Sequence, residues 1–159
     1  MTKNVDFEKV NKDNFDVFFE LVNKLANYEK QGCLDENVKN RLEKDAFSDN
    51  PRYEAYLAKL NDVYVGYFIL IDTYSSYQAK PTLYLEDLFV LDEYRGKGIG
   101  QKMFEFCVDK ANIDNYGRME WCVYNWNKPA IGFYRKNKAS QLDKTYYRLN
   151  KEQIEEFKK

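Results

Sequence analysis

The residues best suited to chemistry lie between Glu86 and Gln101. Glu86 and Asp87 sit side by side in an apolar, strand-like run with Leu83, Leu85, Leu88, Phe89 and Val90. Carboxylates buried unpaired in such a run are costly, so they should be hydrogen-bonded or face a wet cleft. Further on, Gly96, Gly98 and Gly100 alternate with Lys97 and Ile99, and Arg95 precedes them. Glycines let the backbone curl around a ligand and aim several N–H groups at one point. A helix begins within the loop, striped by Ile99, Met103, Phe106 and Lys110/Ala111. Its N-terminus adds roughly half a positive charge, and Arg95 and Lys97 add full ones. This combination suits a phosphate or pyrophosphate beside groups able to handle a proton.

Several chemistries are excluded. The chain has no histidine, which removes Ser-His-Asp and Cys-His catalysis and His-containing zinc sites. Proton transfer falls to Glu, Asp, Tyr, Lys, Cys or water. The glycine loop lacks the Gly-Lys-Ser/Thr ending of a nucleotide P-loop and the spacing of a dinucleotide fingerprint. Cys33, Cys107 and Cys122 have no metal-ligand spacing, so no metal is expected, and they suit a reducing compartment. Lys and Arg total 25 against 26 Asp and Glu, without the basic excess of a nucleic-acid binder. The longest apolar run, Val63 to Ile71, falls far short of the roughly 20 residues of a membrane span. The start of the chain shows no signal-peptide core. The expectation is a cytoplasmic protein with no nucleic-acid or membrane partner.

These residues need a scaffold, and 159 residues with 44% hydrophobic content suffice for one domain, residues 1–159, with a proper core. Residues 2–10 read as a weak first strand. Asp13 reads as the N-cap of a helix carrying Phe15, Phe18, Phe19, Val22, Leu25 and Ala26 inward, broken near Gly32. A second helix spans about Asp35 to Phe47, with Val38, Leu42 and Ala46 inward. Tyr53–Leu60 and Val63–Ile71 read as a hairpin about Asn61-Asp62. Thr73 to Pro81 reads as a polar loop before the central strand. After the central helix, Met119, Trp121 and Val123 alternate along another strand. Asn127 caps a short helix that tolerates Pro129 in its first turn. Leu142, Tyr147 and Leu149 suggest a closing strand pair, and Asn150 caps a last helix. The order β-α-α-β-β-β-α-β-α-β predicts an α/β fold with a mixed central sheet flanked by helices.

The loop Arg95-x-x-Gly98-x-Gly100 resembles the pyrophosphate loop of the GNAT superfamily of acetyl-CoA-dependent N-acetyltransferases. Asn127-x-x-Ala130-x-x-Phe133-Tyr134 resembles its second motif. Tyr84-Leu-Glu-Asp-Leu-Phe-Val, Tyr94-Arg-Gly-Lys-Gly-Ile-Gly and Trp126-Asn-Lys-Pro-Ala-Ile-x-Phe-Tyr look like the diamine (spermidine/spermine) and thialysine N-acetyltransferase branch, as does Leu25-Ala-x-Tyr-Glu29. The resemblance covers roughly residues 15 to 150. It implies the GNAT acyl-CoA N-acyltransferase fold, acetyl-CoA as cosubstrate, a small amine substrate, and a homodimer.

Acetylating an amine requires its neutral form, yet a free alkylamine has a pKa of about 10.4. Glu86 is the candidate base, directly or through water, since burial in an apolar strand would raise its proton affinity. The same carboxylate could instead fix the loop by hydrogen bonds. By resemblance, Tyr134 would protonate the departing thiolate; the alternative is a core aromatic with its hydroxyl satisfied. The resemblance further implies that backbone groups of Leu88, Phe89 and Val90 hold the pantetheine arm and face the carbonyl oxygen. Amides from Gly96 through Lys97, Gly98, Ile99 and Gly100 to Gln101 would take the pyrophosphate. Asn127, Lys128, Pro129 and Ala130 would line the other side of the cofactor. Arg95, Lys97, Lys102 or Lys136 could reach the ribose phosphate, or form a solvated basic face. For the amine, Tyr28, Glu29, Glu86 and Asp87 match by position, and Glu120, Trp121 and Cys122 lie on the strand that would face them. Glu29 could also be a surface charge at a helix end.

Three departures bear on the substrate. Thr73-Tyr-Ser-Ser-Tyr77 lacks the acidic residue of the polyamine enzymes, leaving room for a shorter or zwitterionic amine. The segment after Ala139 is shorter and lacks a Gly-Trp pair. Lys138 stands where the family has Gly, with Asn137 expected to take the left-handed turn instead. Acetylation of a protein lysine or N-terminus, and a non-catalytic acyl-CoA-binding domain, remain alternatives.

Overall fold

The computed structural model describes residues 4–157. The chain forms two compact units, one ending at Cys122 and the other beginning at Val123.

The first unit is a five-stranded sheet in the order β1-β2-β3-β4-β5. Its strands are β1 (Val5–Lys9), β2 (Glu54–Leu60), β3 (Val63–Ser75), β4 (Lys80–Val90) and β5 (Arg118–Glu120). β1 to β4 are antiparallel neighbours, and β5 joins β4 in parallel. The hairpin between β2 and β3 turns at Asn61 (φ +48°) and Asp62 (φ +64°), both left-handed as a type I′ turn requires. Helices α1 (Phe15–Tyr28) and α2 (Glu36–Ala46) precede β2, and α3 (Ile99–Ile113) crosses from β4 to β5.

Period-two alternation divides the core between the sheet's two faces. Leu57, Tyr67, Ile69 and Phe89 pack with Phe15, Phe18, Phe19 and Leu21 of α1. Their neighbours along each strand point the other way, where Phe106 of α3 meets the rings of Phe7, Tyr56 and Phe68 at 5.2, 5.0 and 5.4 Å. Each side chain fully buried in this way stabilises the fold by about 1.5–3 kcal/mol.

Several expectations change in the first unit. Asn14, not Asp13, occupies the α1 N-cap position. Its amide donates to Glu8 and to the Lys9 carbonyl while its oxygen accepts from the Asn11 amide, so the side chain joins β1 to the helix. The expected loop from Thr73 to Pro81 is mostly strand, and only residues 76–79 turn. There the buried Ser75 hydroxyl accepts from the Gln78 amide. β5 ends at Glu120 rather than running to Val123. The first strand begins at Val5; residues 2 and 3 of its expected span lie outside the described residues.

The second unit holds α4 (Lys128–Lys136) and α5 (Lys151–Glu156), capped by Asn127 and Asn150 as expected. The closing strand pair around Leu142, Tyr147 and Leu149 does not form: no strand is present among described residues 139–150. Polar Asp143, Lys144 and Thr145 interrupt the alternation that a half-buried strand needs. After α4, Asn137 keeps φ −82° and Lys138 itself takes the left-handed conformation, at φ +60°.

Candidate active site

The glycine loop begins where β4 ends. A short 3-10 turn, Asp92–Tyr94, leads into Arg95, and Gly96 (φ +72°) and Gly98 (φ +81°) carry the chain through left-handed conformations. Gly98 sits at the N-cap of α3. A Cβ on Gly96 or Gly98 would meet no heavy atom within 4 Å, so the space around both is open. The amides of Ile99 and Gly100 lie in the first helical turn, where no carbonyl one turn back exists to accept them. Gly100 rests against Val90, its Cβ position 3.9 Å from Val90 Cγ2. Open space and first-turn amides are the features that suit a phosphate-bearing ligand.

The cations of the loop are exposed but engaged by neighbouring groups. Arg95 Nε donates to the Val90 carbonyl at 2.9 Å and its guanidinium pairs with Asp92 at 2.6 Å. The same guanidinium lies 4.8 Å from the Tyr28 ring centre and 5.6 Å from that of Phe89. Lys97 Nζ donates to the Glu93 carbonyl at 2.7 Å and lies 5.1 Å from the Tyr94 ring. Both side chains brace the loop, while their charge still adds to the positive helix end.

β4 supplies the carboxylates through an irregularity. Ile69 pairs with Asp87 and Leu70 with Leu85, so Glu86 is an extra residue in a β-bulge. The expectation that Glu86 is buried is corrected: the bulge leaves Glu86 exposed, and Asp87 is the more enclosed of the two. Burial pushes the Asp87 carboxyl up to about 6, with the charges of Glu86 and Glu29 adding to the rise and a Tyr67 hydrogen bond opposing it. Glu29, at the α1 C-cap, is also raised, first by burial and then by Glu86. Three carboxylates therefore share one neighbourhood, and among the described residues no Lys or Arg forms an ion pair with any of them.

Pairing of β4 with β5 stops at Tyr84 opposite Glu120. From Leu85 through Leu88 and Phe89 to Val90, the β4 edge that faced β5 has no strand partner among the described residues. Such an edge can accept an extended ligand in a strand's place.

Other expected substrate residues are engaged differently. Glu120 forms an ion pair with Arg118 at 3.2 Å, and the Trp121 ring packs edge-on against Phe104 at 5.4 Å. Cys122 is exposed. In the second unit, Asn127 Oδ1 accepts from the Ala130 amide at 3.3 Å, with Lys128 and Pro129 opening the helix. Tyr134 sits on α4 with its ring against Phe133, 5.3 Å between centres. No group of three potential metal ligands occurs among the described residues.

Sequence reasoning missed Tyr67. Its ring is fully buried and its hydroxyl donates to Asp87 Oδ2 at 2.9 Å. The signal was available: a tyrosine within an apolar run must find a partner for its hydroxyl.

Comparison with known proteins agrees with this geometry. Residues 18–138 match the sequence profile of the Acetyltransferase (GNAT) family. A thialysine N-epsilon-acetyltransferase from Bos taurus is 32% identical over 130 residues, covering 77% of this chain and 76% of that protein. An L-ornithine N5-acetyltransferase from Arabidopsis thaliana is 41% identical over 88 residues, 54% of this chain but only 39% of the relative's length. Among solved structures, an integron cassette protein from V. cholerae superposes with a TM-score of 0.81 at 25% identity, covering 100% of this chain and 99% of that one. An aminoglycoside N-acetyltransferase in complex with CoA gives 0.76 at 15% identity, over 95% and 97% of the two chains. The chain belongs to the acetyltransferase (GNAT) family and is an acyltransferase.

Proposed function

We propose that the protein transfers acetyl from acetyl-CoA to the primary amine of a small diamine, polyamine or lysine-like amino acid. The observation that carries this reading is the group of Glu29, Glu86 and Asp87, three neighbouring carboxylates with no ion-pair partner among the described residues, two of them on the strand that leads into an open glycine cradle. A dicationic or zwitterionic amine supplies the missing positive charge through charge-assisted hydrogen bonds. The names of the thialysine and ornithine relatives support an amino-acid-like substrate.

Bound acetyl-CoA supplies the activated thioester. The loop amides from Gly96 to Gln101 hold its pyrophosphate, and the open edge of β4 at Leu88 to Val90 holds its extended arm. Glu29 and Asp87 anchor the distal ammonium. Glu86, exposed at the bulge, takes the proton from the attacking amine, directly or through water. On the strength of its motif, Tyr134 returns a proton to the thiolate, and Asn127, Lys128, Pro129 and Ala130 contact the cofactor. Carried by the resemblance alone, the active species is a cytoplasmic homodimer, which sedimentation equilibrium tests as to assembly.

A thiol-release assay with acetyl-CoA against putrescine, spermidine, spermine, lysine, thialysine, ornithine and a lysine peptide tests the proposal. Turnover on at least one small amine is expected. Turnover on the peptide alone would replace the substrate assignment, and none on any amine would overturn the reading.

A further inference from the structure

We propose that Tyr67, set in the sheet against Asp87, is a positioning and specificity residue of the amine site, fixing which carboxylate oxygen the cationic substrate meets. The inference rests on the acetyltransferase reading above and adds to it a residue outside the matched motifs.

The geometry carries it. Tyr67 lies on β3 opposite Phe89 and two residues from Ile69, the partner of Asp87. Its ring is wedged between Phe18, edge-on at 5.4 Å, and Phe89 at 6.1 Å. Packing on both sides locks the side chain, so its hydroxyl is a fixed donor. That hydroxyl takes Asp87 Oδ2 at 2.9 Å. Burial and the Asp87 charge keep it protonated far above its ordinary range, so it donates at every working pH.

With Oδ2 held, Asp87 has no second side-chain donor among the described residues, and Oδ1 is left for a ligand. The groups around Asp87 are Tyr67 from β3, Glu86 beside it on β4, and Glu29 from the end of α1. Arg95, the cation in the loop beyond β4, is already engaged by Asp92 and the Val90 carbonyl. A neutral donor at Asp87 orients the carboxylate without cancelling its charge, as a lysine or arginine there would. The site therefore favours substrates with a second positive charge over simple monoamines, and Tyr67 sets the degree of that preference.

The test is Tyr67→Phe, which keeps the ring and deletes only the hydroxyl. Two readouts are needed. The first is the Asp87 carboxyl titration by carbon NMR in wild type and variant, which needs no turnover. The second is kcat and KM for a diamine or lysine-like amine, compared with an alkyl monoamine, across pH. Loss of a hydrogen bond to a charged group should raise KM for the dicationic substrate by about tenfold or more while kcat changes little. Monoamine KM should hold, and both the Asp87 titration and the acidic limb of kcat/KM should move to higher pH. Unchanged titration and KM would overturn the inference, as would equal losses on both amines. If wild type acetylates no amine, the functional reading fails, and the titration alone still decides whether Tyr67 governs Asp87.

Discussion

The guanidinium carbon of Arg95 lies 4.8 Å from the centre of the Tyr28 ring, joining the glycine loop to the end of α1. One end of this contact belongs to the glycine loop and the other adjoins Glu29. A cation–π contact of this type is worth about 0.5–2 kcal/mol. Tyr28→Leu should therefore weaken CoA binding by about two- to thirtyfold by calorimetry, and raise the amine KM as well. Unaltered values for both would mean the contact plays no part in either site.

Gly98 needs its freedom at φ +81°. A β-branched residue there costs at least about 1–2 kcal/mol in backbone strain and fills the cradle. Gly98→Val is expected to abolish CoA binding, with a lowered melting temperature. Lys138, at φ +60°, presents the converse case. Lys138→Gly should raise stability by about 0.5–1 kcal/mol in urea unfolding, and a loss would show that the Lys138 side chain matters more than its backbone.

Asp87 makes stability depend on pH. Its carboxyl, ordinarily at 3.8, stands at about 6 in the fold because burial disfavours its charge. The protonated form is the one the fold prefers, so the contribution is complete below pH 3.8 and drains away as pH climbs through 6. Asp87→Asn removes that dependence and should gain on wild type between pH 4 and 7, by about 3 kcal/mol at most. A gap that shrinks over this range would contradict the assignment. Cationic amine binding should follow the opposite course in wild type, weakening below pH 6 as Asp87 loses its charge.

Glu86→Gln should lower kcat by about 10²-fold or more if the carboxylate is the base, with the deepest loss at low pH where neutral amine is scarce. A small loss uniform across pH would assign Glu86 to positioning. Tyr134→Phe should lower kcat while acetyl-CoA affinity holds; an undiminished kcat removes its role as acid.

Local chemistry made much of this fold legible. The strand, glycine loop and helix from Tyr84 to Ala111 were readable because apolar period, glycine spacing and helix start all change within a few residues. Asn127 and Asn150 announced their caps by residue type, and Asn61-Asp62 its turn. What stayed hidden depends on pairing between distant residues. The bulge at Glu86 is a slip in register against Ile69 and Leu70, and no property of Glu86 itself declares it. Without that slip, the division between an exposed Glu86 and an enclosed Asp87 could not be foreseen, nor could the Tyr67 hydroxyl be matched to its acceptor. The strand-like look of Leu142 to Leu149 misled for a related reason: apolar residues offer a strand, but only a neighbouring edge makes one.

The same slip means that the sheet can be written without Glu86. Leu70 with Leu85 and Ile69 with Asp87 are already successive rungs, so removing the residue between Leu85 and Asp87 would close the ladder instead of breaking it. At this point the chain carries one more amino acid than its architecture demands, and that amino acid is the proposed base. A chain shortened by Glu86 alone should keep its core and its cofactor cradle while losing turnover, which sets the scaffold and the reaction apart by a single codon.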